Sequence, residues 1–291
     1  MKIGIIYPQN ELQGDPQAVR RIGLAAEELG YDHIVAYDHV LGATHDREPK
    51  LWGPYTEKDP FHDPFVMFAY LAAITSRIAL VTGILILPQR QTVLVARQAA
   101  DLDLLSGERL RLGVGIGWNY VEYDSLGQDF RTRGKRLGEQ VGLLRRLWTE
   151  PLVQFEGAFD RIDRAALNPR PRRAVPIWFG GFADEALRRA ARLGDGFIFA
   201  DGAVDAFDAV SRLRRFLDEA GRSRDSFGLQ CNMLQAKSPQ AVVDTASRWR
   251  DVGGTDAAVV TMGQGFKTAE QHVDHMKRVA EAIRKAGIGM C

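Results

Sequence analysis

Residues Leu80 to Arg90 read "LVTGILILPQR". A run so dense in β-branched and aliphatic side chains suits a strand buried on both faces, the kind found in parallel sheets. Gly83 interrupts it, and glycine weakens the interior of a strand. A bare backbone at that point serves a bulge, the close approach of another strand, or a flat ligand lying against the main chain. The segments on either side decide which fold holds this strand.

They alternate from end to end. Strands are predicted at 2–7 "KIGIIY", 33–38 "HIVAYD", 78–86 "IALVTGILI", 110–116 "LRLGVGI", 176–181 "PIWFGG", 196–200 "GFIFA", 227–233 "FGLQCNM" and 256–262 "DAAVVTM". Helices are predicted between and after them at 16–29, 63–75, 91–106, 131–149, 183–193, 205–220, 239–251 and 268–286. Asp15-Pro16, Asp63-Pro64 and Ser238-Pro239 each put a capping side chain ahead of a proline at the first helical position. Gly30, Gly107, Gly194 and Gly221 follow last turns, where a left-handed residue closes a helix. Eight strands alternating with eight helices predict an α/β fold, a (β/α)8 TIM barrel in one domain over 1–291, rather than a doubly wound sheet. Two insertions break the rhythm. Residues 40–62 follow strand two, at the carboxyl face where barrel active sites are built, and make a plausible lid; residues 150–175, ending "NPRPRRAVP", precede strand five and start from the opposite face.

Bulk composition narrows the class of partner. The 38 basic and 37 acidic residues nearly cancel to a net charge of +1, which gives no general attraction to nucleic acid or to an anionic membrane. The 30 arginines against 8 lysines hint at a GC-rich genome rather than at a binding role. The two cysteines, Cys231 and Cys291, make neither a disulfide framework nor a metal cluster and point to a reducing compartment. The start "MKIGIIYPQ" has an apolar run too short for a signal peptide or a membrane span, so the expected location is cytoplasmic.

Four segments can carry chemistry. "AYDHVL" places Asp38 and His39 at the exit of strand two, where an imidazole can exchange a proton with a bound redox ring and the carboxylate can fix orientation or accept a cofactor hydroxyl. The same pair also reads as a satisfied loop histidine beside a capping aspartate. Gly83 is the second. "GVGIGW", Gly113 to Trp118, lacks the third glycine of the dinucleotide fingerprint and closes a fourth strand rather than opening a βαβ unit. Its bare positions Gly115 and Gly117 leave room for a ring, or simply for neighbouring strands. Gly180 and Gly181, before a helix starting near Ala183, make either a phosphate cradle or an ordinary turn. His272 and His275 lie three apart beside Asp274 with no third metal ligand and are expected on a solvated face, so no metal is predicted. His45 and His62, in the insertion, could touch a substrate, and nothing in the sequence ranks one above the other.

Together these segments resemble the bacterial luciferase-like superfamily, in its branch of oxidoreductases that depend on the deazaflavin coenzyme F420. The resemblance covers nearly the whole chain and is most specific over Thr82–Trp118 and Ile177–Phe197. It implies a non-prolyl cis peptide at Gly83–Ile84, in a bulge backing the deazaflavin ring, with Ile84 against the ring's rear face. It implies His39 near the reactive ring carbon, Asp38 at the preceding acidic position, Ile116 and Gly117 touching the ring, and the cofactor phosphate beside Gly180, Gly181, Phe182 and Ala183. A small organic substrate would then lie under the insertion, near Trp52, Trp118 and Tyr120. Sugar-phosphate dehydrogenases of the superfamily carry a catalytic glutamate just past the strand-four tip, where this chain has Trp118, which argues against glucose 6-phosphate. The implied activity is hydride transfer between F420 and that substrate. The alternatives are an FMN-dependent monooxygenase, which uses the same turn and strand, a non-catalytic flavin-binding relative, and a metal-dependent barrel hydrolase. Relatives are commonly dimers, so a homodimer is expected.

Overall fold

The computed structural model describes residues 1–202 and 205–289. The terminal Cys291 lies outside the described residues. In chain order the elements are β1 (Lys2–Ile6), α1 (Pro16–Glu28), β2 (His33–Ala36), α2 (Pro64–Ile74), β3 (Ala79–Thr82), β4 (Leu85–Ile86), α3 (Thr92–Ser106), β5 (Leu110–Gly115), α4 (Tyr120–Ser125) and α5 (Arg133–Thr149). A hairpin follows, β6 (Val153–Glu156) and β7 (Arg161–Ala165), then β8 (Ile177–Gly180), α6 (Asp184–Leu193), β9 (Gly196–Ala200), α7 (Ala206–Glu219), β10 (Gly228–Met233), α8 (Pro239–Asp251), β11 (Asp256–Val260) and α9 (Ala269–Lys285).

All the strands outside the hairpin pair in parallel, in the order β3-β2-β1-β11-β10-β9-β8-β5-β4, and β3 also pairs with β5 through Leu80 with Leu110 and Val81 with Arg111. That last pairing closes the sheet, with β3 and β4 as two halves of one stave. The result is a (β/α)8 TIM barrel with helices outside it. Asp15, Asp63 and Ser238 cap α1, α2 and α8 through their side chains, each with proline at the first helical turn. Gly30, Gly107 and Gly221 take φ of 80°, 72° and 65°, the left-handed region where a side chain is disfavoured. Gly194 departs from that expectation: its backbone is extended, and its bareness serves packing, since a Cβ there would meet Phe179 Cδ2 at 2.8 Å.

The barrel interior alternates large side chains with glycines. A Cβ on Gly4 would lie 2.2 Å from the His33 ring, and Cβ atoms on Gly196 and Gly228 would lie 2.4 and 2.0 Å from Trp178. Toward the amino ends of the strands the interior is polar: Arg111 Nη2 is 2.9 Å from Asp256 Oδ1, stacks 4.2 Å over Trp178, and Arg111 Nη1 donates to Gln230 Oε1. Above it lie Ile6, Val35, Val81, Ile198, Ala258 and Val260.

The second insertion leaves the amino-terminal face as expected, but it also forms the β6–β7 hairpin, which was not anticipated. Glu139 on α5 accepts hydrogen bonds from the amides of Ala158, Phe159 and Asp160 at the hairpin tip, and Asp160 accepts from Thr92 at the start of α3. The hairpin therefore climbs back along the barrel between α3 and α5.

Candidate functional site at the carboxyl-terminal rim

The rim is shaped first by the broken stave. Val81 pairs with Arg111 and Leu85 with Val114, so four steps on one strand face three on the other, which is a bulge. The Gly83–Ile84 peptide inside it is cis, and Gly83 N donates to Ala36 O at 2.7 Å. A Cβ on Gly83 would lie 2.3 Å from Val35 Cγ1, so bulge and close approach both account for this glycine. Ile84 then crosses toward β5 and β8. A Cβ on Gly115 would lie 1.9 Å from Ile84 Cδ1, and one on Gly180 would lie 2.8 Å from Ile84 Cγ2. Gly115 and Gly180 thus make room for Ile84, which is half-buried at the top of the interior cluster. Gly117, at φ 61°, is packed over Ile86, and Ile116 beside it is half-buried.

Asp38 and His39 leave β2 in different directions. Asp38 is buried, with Oδ2 accepting from Ile86 N at 2.9 Å and Oδ1 from Arg90 Nη2 at 2.7 Å; the same Arg90 nitrogen reaches Asp63 Oδ2 at 3.0 Å. Burial pushes the Asp38 carboxyl up, against the pull of Arg90. Through these bonds Asp38 and Arg90 hold β4 against β2 and the cap of α2. His39 stays at the rim. Its ring meets Tyr55, Phe61 and Trp118 edge-on at 5.3, 4.8 and 5.5 Å between centroids, and its Nδ1 lies 3.3 Å from both oxygens of Glu122.

Glu122 is the residue that sequence reasoning missed. It is 1% exposed, with Oε1 accepting from Val40 N and Leu41 N at 2.7 and 3.1 Å and Oε2 from Gln89 Nε2 at 3.2 Å. Burial would push its carboxyl up, but these bonds, His39's foremost, hold it below the ordinary range. The signal for it was Asn119-x-x-Glu122, the spacing of a helix start, and Asn119 does cap the unanticipated helix α4 by accepting from Val121 N.

The insertion lies over this rim. Trp118 packs on Gly53, where a Cβ would come within 2.3 Å of its ring, and Tyr120 Oη donates to Pro49 O while Arg47 lies over its ring. Tyr120 thereby ties the insertion to the start of α4. Trp52, expected near substrate, is 71% exposed with Lys50 over its outer face. His45 Nε2 donates to Tyr55 O at 3.1 Å and so braces the insertion.

At the β8–α6 turn, Gly181 has φ 151° and Ala183 offers α6 no side-chain cap. Phe182 is 58% exposed and Ala183 is exposed beside it. The first turn of α6 carries Asp184 and Glu185, and Asp184 is paired with Arg212. His272 and His275 overturn the expectation of a solvated face: both are buried, His272 against Thr261 Oγ1 at 2.8 Å and Glu11 Oε2 at 3.4 Å, His275 against Gln264. Helix α9 packs these positions on α1 and α8, and the polar partners come from the loops after β1 and β11. A cleft of about 530 Å³ between Lys2, Tyr31, Asp32, Arg77 and Thr255 lies at the amino-terminal end, remote from His39.

Comparison with known proteins gives the same architecture a lineage. Uncharacterized protein Rv0940c of Mycobacterium tuberculosis is 33% identical over 270 residues, spanning 89% of this chain and 92% of its own. The F420-dependent glucose-6-phosphate dehydrogenase of Nakamurella multipartita is 32% identical over 225 residues, spanning 75% of this chain and 63% of its own. The crystal structure of monooxygenase RslO1 from Streptomyces bottropensis superposes with a TM-score of 0.78 at 21% identity, over 98% of this chain and 99% of that one. The luciferase-like monooxygenase family model matches residues 1–287, and the chain belongs to that family.

Proposed function

We propose that the protein is an oxidoreductase that moves a hydride between coenzyme F420 and a small organic substrate at the carboxyl-terminal rim. The observation that carries this reading is the placement of His39 on the rim that also carries the Gly83–Ile84 bulge, in a chain one-third identical to an F420-dependent dehydrogenase over 225 residues. The residues present fit a tricyclic ring with a phosphate-bearing tail. Ile84 offers an aliphatic surface at the barrel mouth, with Ile116 on the adjoining strand tip. The turn Gly180, Gly181, Phe182, Ala183 offers backbone amides with no side-chain cap competing for them. Arg212 neutralises Asp184, one of the two carboxylates that oppose an anion there.

The bound deazaflavin would supply the hydride chemistry. In this reading the chain supplies a seat through Ile84, phosphate donors through the 180–183 turn, and a proton donor or stabiliser through His39. Tyr55, Phe61 and Trp118 pack edge-on around the imidazole and leave it about 10% exposed at the rim. Asp38 acts beneath the seat, through β4.

Titration with F420 and with FMN, followed by ring absorbance, tests the reading. Saturable binding of F420 with weak or no binding of FMN is expected; tight FMN binding alone would move the protein to the monooxygenase class. His39→Ala should keep cofactor binding and lower turnover by about 10² or more. Unchanged turnover would remove His39 from the chemistry, and cofactor binding with no turnover in the unmodified protein would favour a non-catalytic relative.

The reading includes a cytoplasmic homodimer. No helix among the described residues is long and apolar enough to cross a membrane. Helix α2 has no charged residue, yet it exposes Val66 by 70% and Tyr70 by 41%, beside exposed Leu94 and Leu105 on α3. A helix apolar all round is normally covered, here by a second copy. Sedimentation should give twice the 32.4 kDa of the chain.

A further inference from the structure

We infer that Glu122 is the positioning residue of this site, fixing which imidazole nitrogen of His39 faces the barrel mouth. The inference rests on the reading above only for its catalytic consequence; the geometry stands without it.

Both Glu122 oxygens lie 3.3 Å from His39 Nδ1, and the carboxylate is buried on a helix held by the Asn119 cap. A buried carboxylate persists as an acceptor only where several donors satisfy it, and here Val40 N, Leu41 N and Gln89 Nε2 converge on the same two oxygens. An ionised acceptor facing Nδ1 requires a proton on Nδ1. Nε2 is then the nitrogen left for chemistry, as a free lone pair or as the donor of the protonated ring.

The surroundings favour one ring orientation. Tyr55, Phe61 and Trp118 meet the imidazole at 68°, 66° and 60°, and turning the ring over would take Nδ1 away from Glu122, its polar partner among the described residues. The titratable groups around the ring are Glu122 from α4 and Tyr55 from the insertion; Asp38, next in sequence, is turned to Ile86 N and Arg90. Glu122 has a second task in the same atoms. Val40 and Leu41 open the 40–62 insertion and Gln89 follows the bulged stave, so one carboxylate joins His39, the lid's first residues and the ring's seat.

Long-range proton–nitrogen NMR on protein labelled at its six histidines tests this, with His39 assigned from the spectrum of His39→Ala. The unmodified protein should show neutral His39 protonated at Nδ1. Glu122→Gln keeps an oxygen for Val40 N and Leu41 N and should lose that tautomer preference, while Glu122→Asp should restore part of it. In turnover, Glu122→Gln should lower kcat by about tenfold or more with KM within about threefold, as expected when a general acid or base is held in the wrong tautomer. An Nε2-protonated His39 in the unmodified protein, or an unaltered tautomer in Glu122→Gln, overturns the inference even if one variant misfolds. If His39→Ala turns over normally while Glu122→Gln still shifts the tautomer, the positioning stands and the proposed function falls.

Discussion

At Ile84 one side chain explains glycines on two other strands. Gly115 and Gly180 belonged to separate motifs in the sequence, one read as room for a ring and the other as part of a phosphate cradle. Both face Ile84, within 1.9 and 2.8 Å of a notional Cβ. No local pattern announces such a contact, because it joins residues 31 and 96 positions apart across the barrel mouth. Gly83 was legible for the opposite reason: a glycine inside an aliphatic run is a local contradiction. Gly115→Ala should force Ile84 aside and, as overpacking of a filled site, destabilise by about 1–3 kcal/mol. Ile84→Ala in the same chain should recover much of that loss, since the methyl then enters vacated space. Thermal melts of the two single variants and the double give the coupling directly; strict additivity would show that the contact is not the cause.

Among elements, the link between β2, β4 and α2 depends on Arg90, whose guanidinium spans Asp38 and Asp63. Asp38 and Asp63 were both legible as polar residues at element ends, and Asp63 as a cap, but Arg90 fell in the link between the strand predicted at 78–86 and the helix predicted at 91–106 and carried no reading of its own. Ion pairs across elements carry no sequence spacing. The β6–β7 hairpin was missed differently: its alternating Val153, Phe155 and Ile162 are diluted by charge, because only one face is covered. Arg90→Ala would leave Asp38 buried without its cation, a change that typically costs about 3–5 kcal/mol. The sign of its pH dependence follows from the burial that already pushes Asp38 up. With the folded-state pKa above the unfolded one, the charged form is disfavoured in the fold, so the variant should regain stability as pH falls through that raised value. Asp38→Asn combined with Arg90→Ala should lose the pH dependence. Urea midpoints of the variants across pH check both, the single variant being compared with the double at each pH so that the histidine contribution cancels; a difference that does not shrink on acidification would contradict the assignment.

The whole barrel was legible because its signals are local and repeated: caps, prolines, and apolar runs at strand length. Its inner polar layer was not, since a strand buried on both faces hides which residues point inward. His33 is such a residue. It is fully buried, neither ring nitrogen has a partner among the described residues, and burial, with Arg111 close by, lowers its pKa to about 3. His272 is lowered to about 4 by burial and by His275, which burial also lowers. Unfolded histidine titrates near about 6.5, so below that value the unfolded chain takes protons the folded chain refuses. Stability should therefore be flat in these groups above about pH 6.5 and fall as pH drops toward the folded values, by up to about 1.4 kcal/mol per pH unit for each histidine. Glu27 acts in a separate window. Although burial opposes it, hydrogen bonds from Ile78, Arg77 and Ser76 hold it at about 2, so its contribution is lost only as pH falls below the ordinary carboxylate range. Between about pH 6.5 and 4.5 the histidines should dominate the slope. His33→Leu removes a ring without a hydrogen-bond partner among the described residues and should flatten this part of the profile by about one proton, with His272→Gln flattening it further. Urea unfolding at intervals from about pH 7 to 4 measures the slope. An unchanged slope in His33→Leu would mean that the ring is protonated in the fold, beside Asp256, and that the barrel floor holds a cation there.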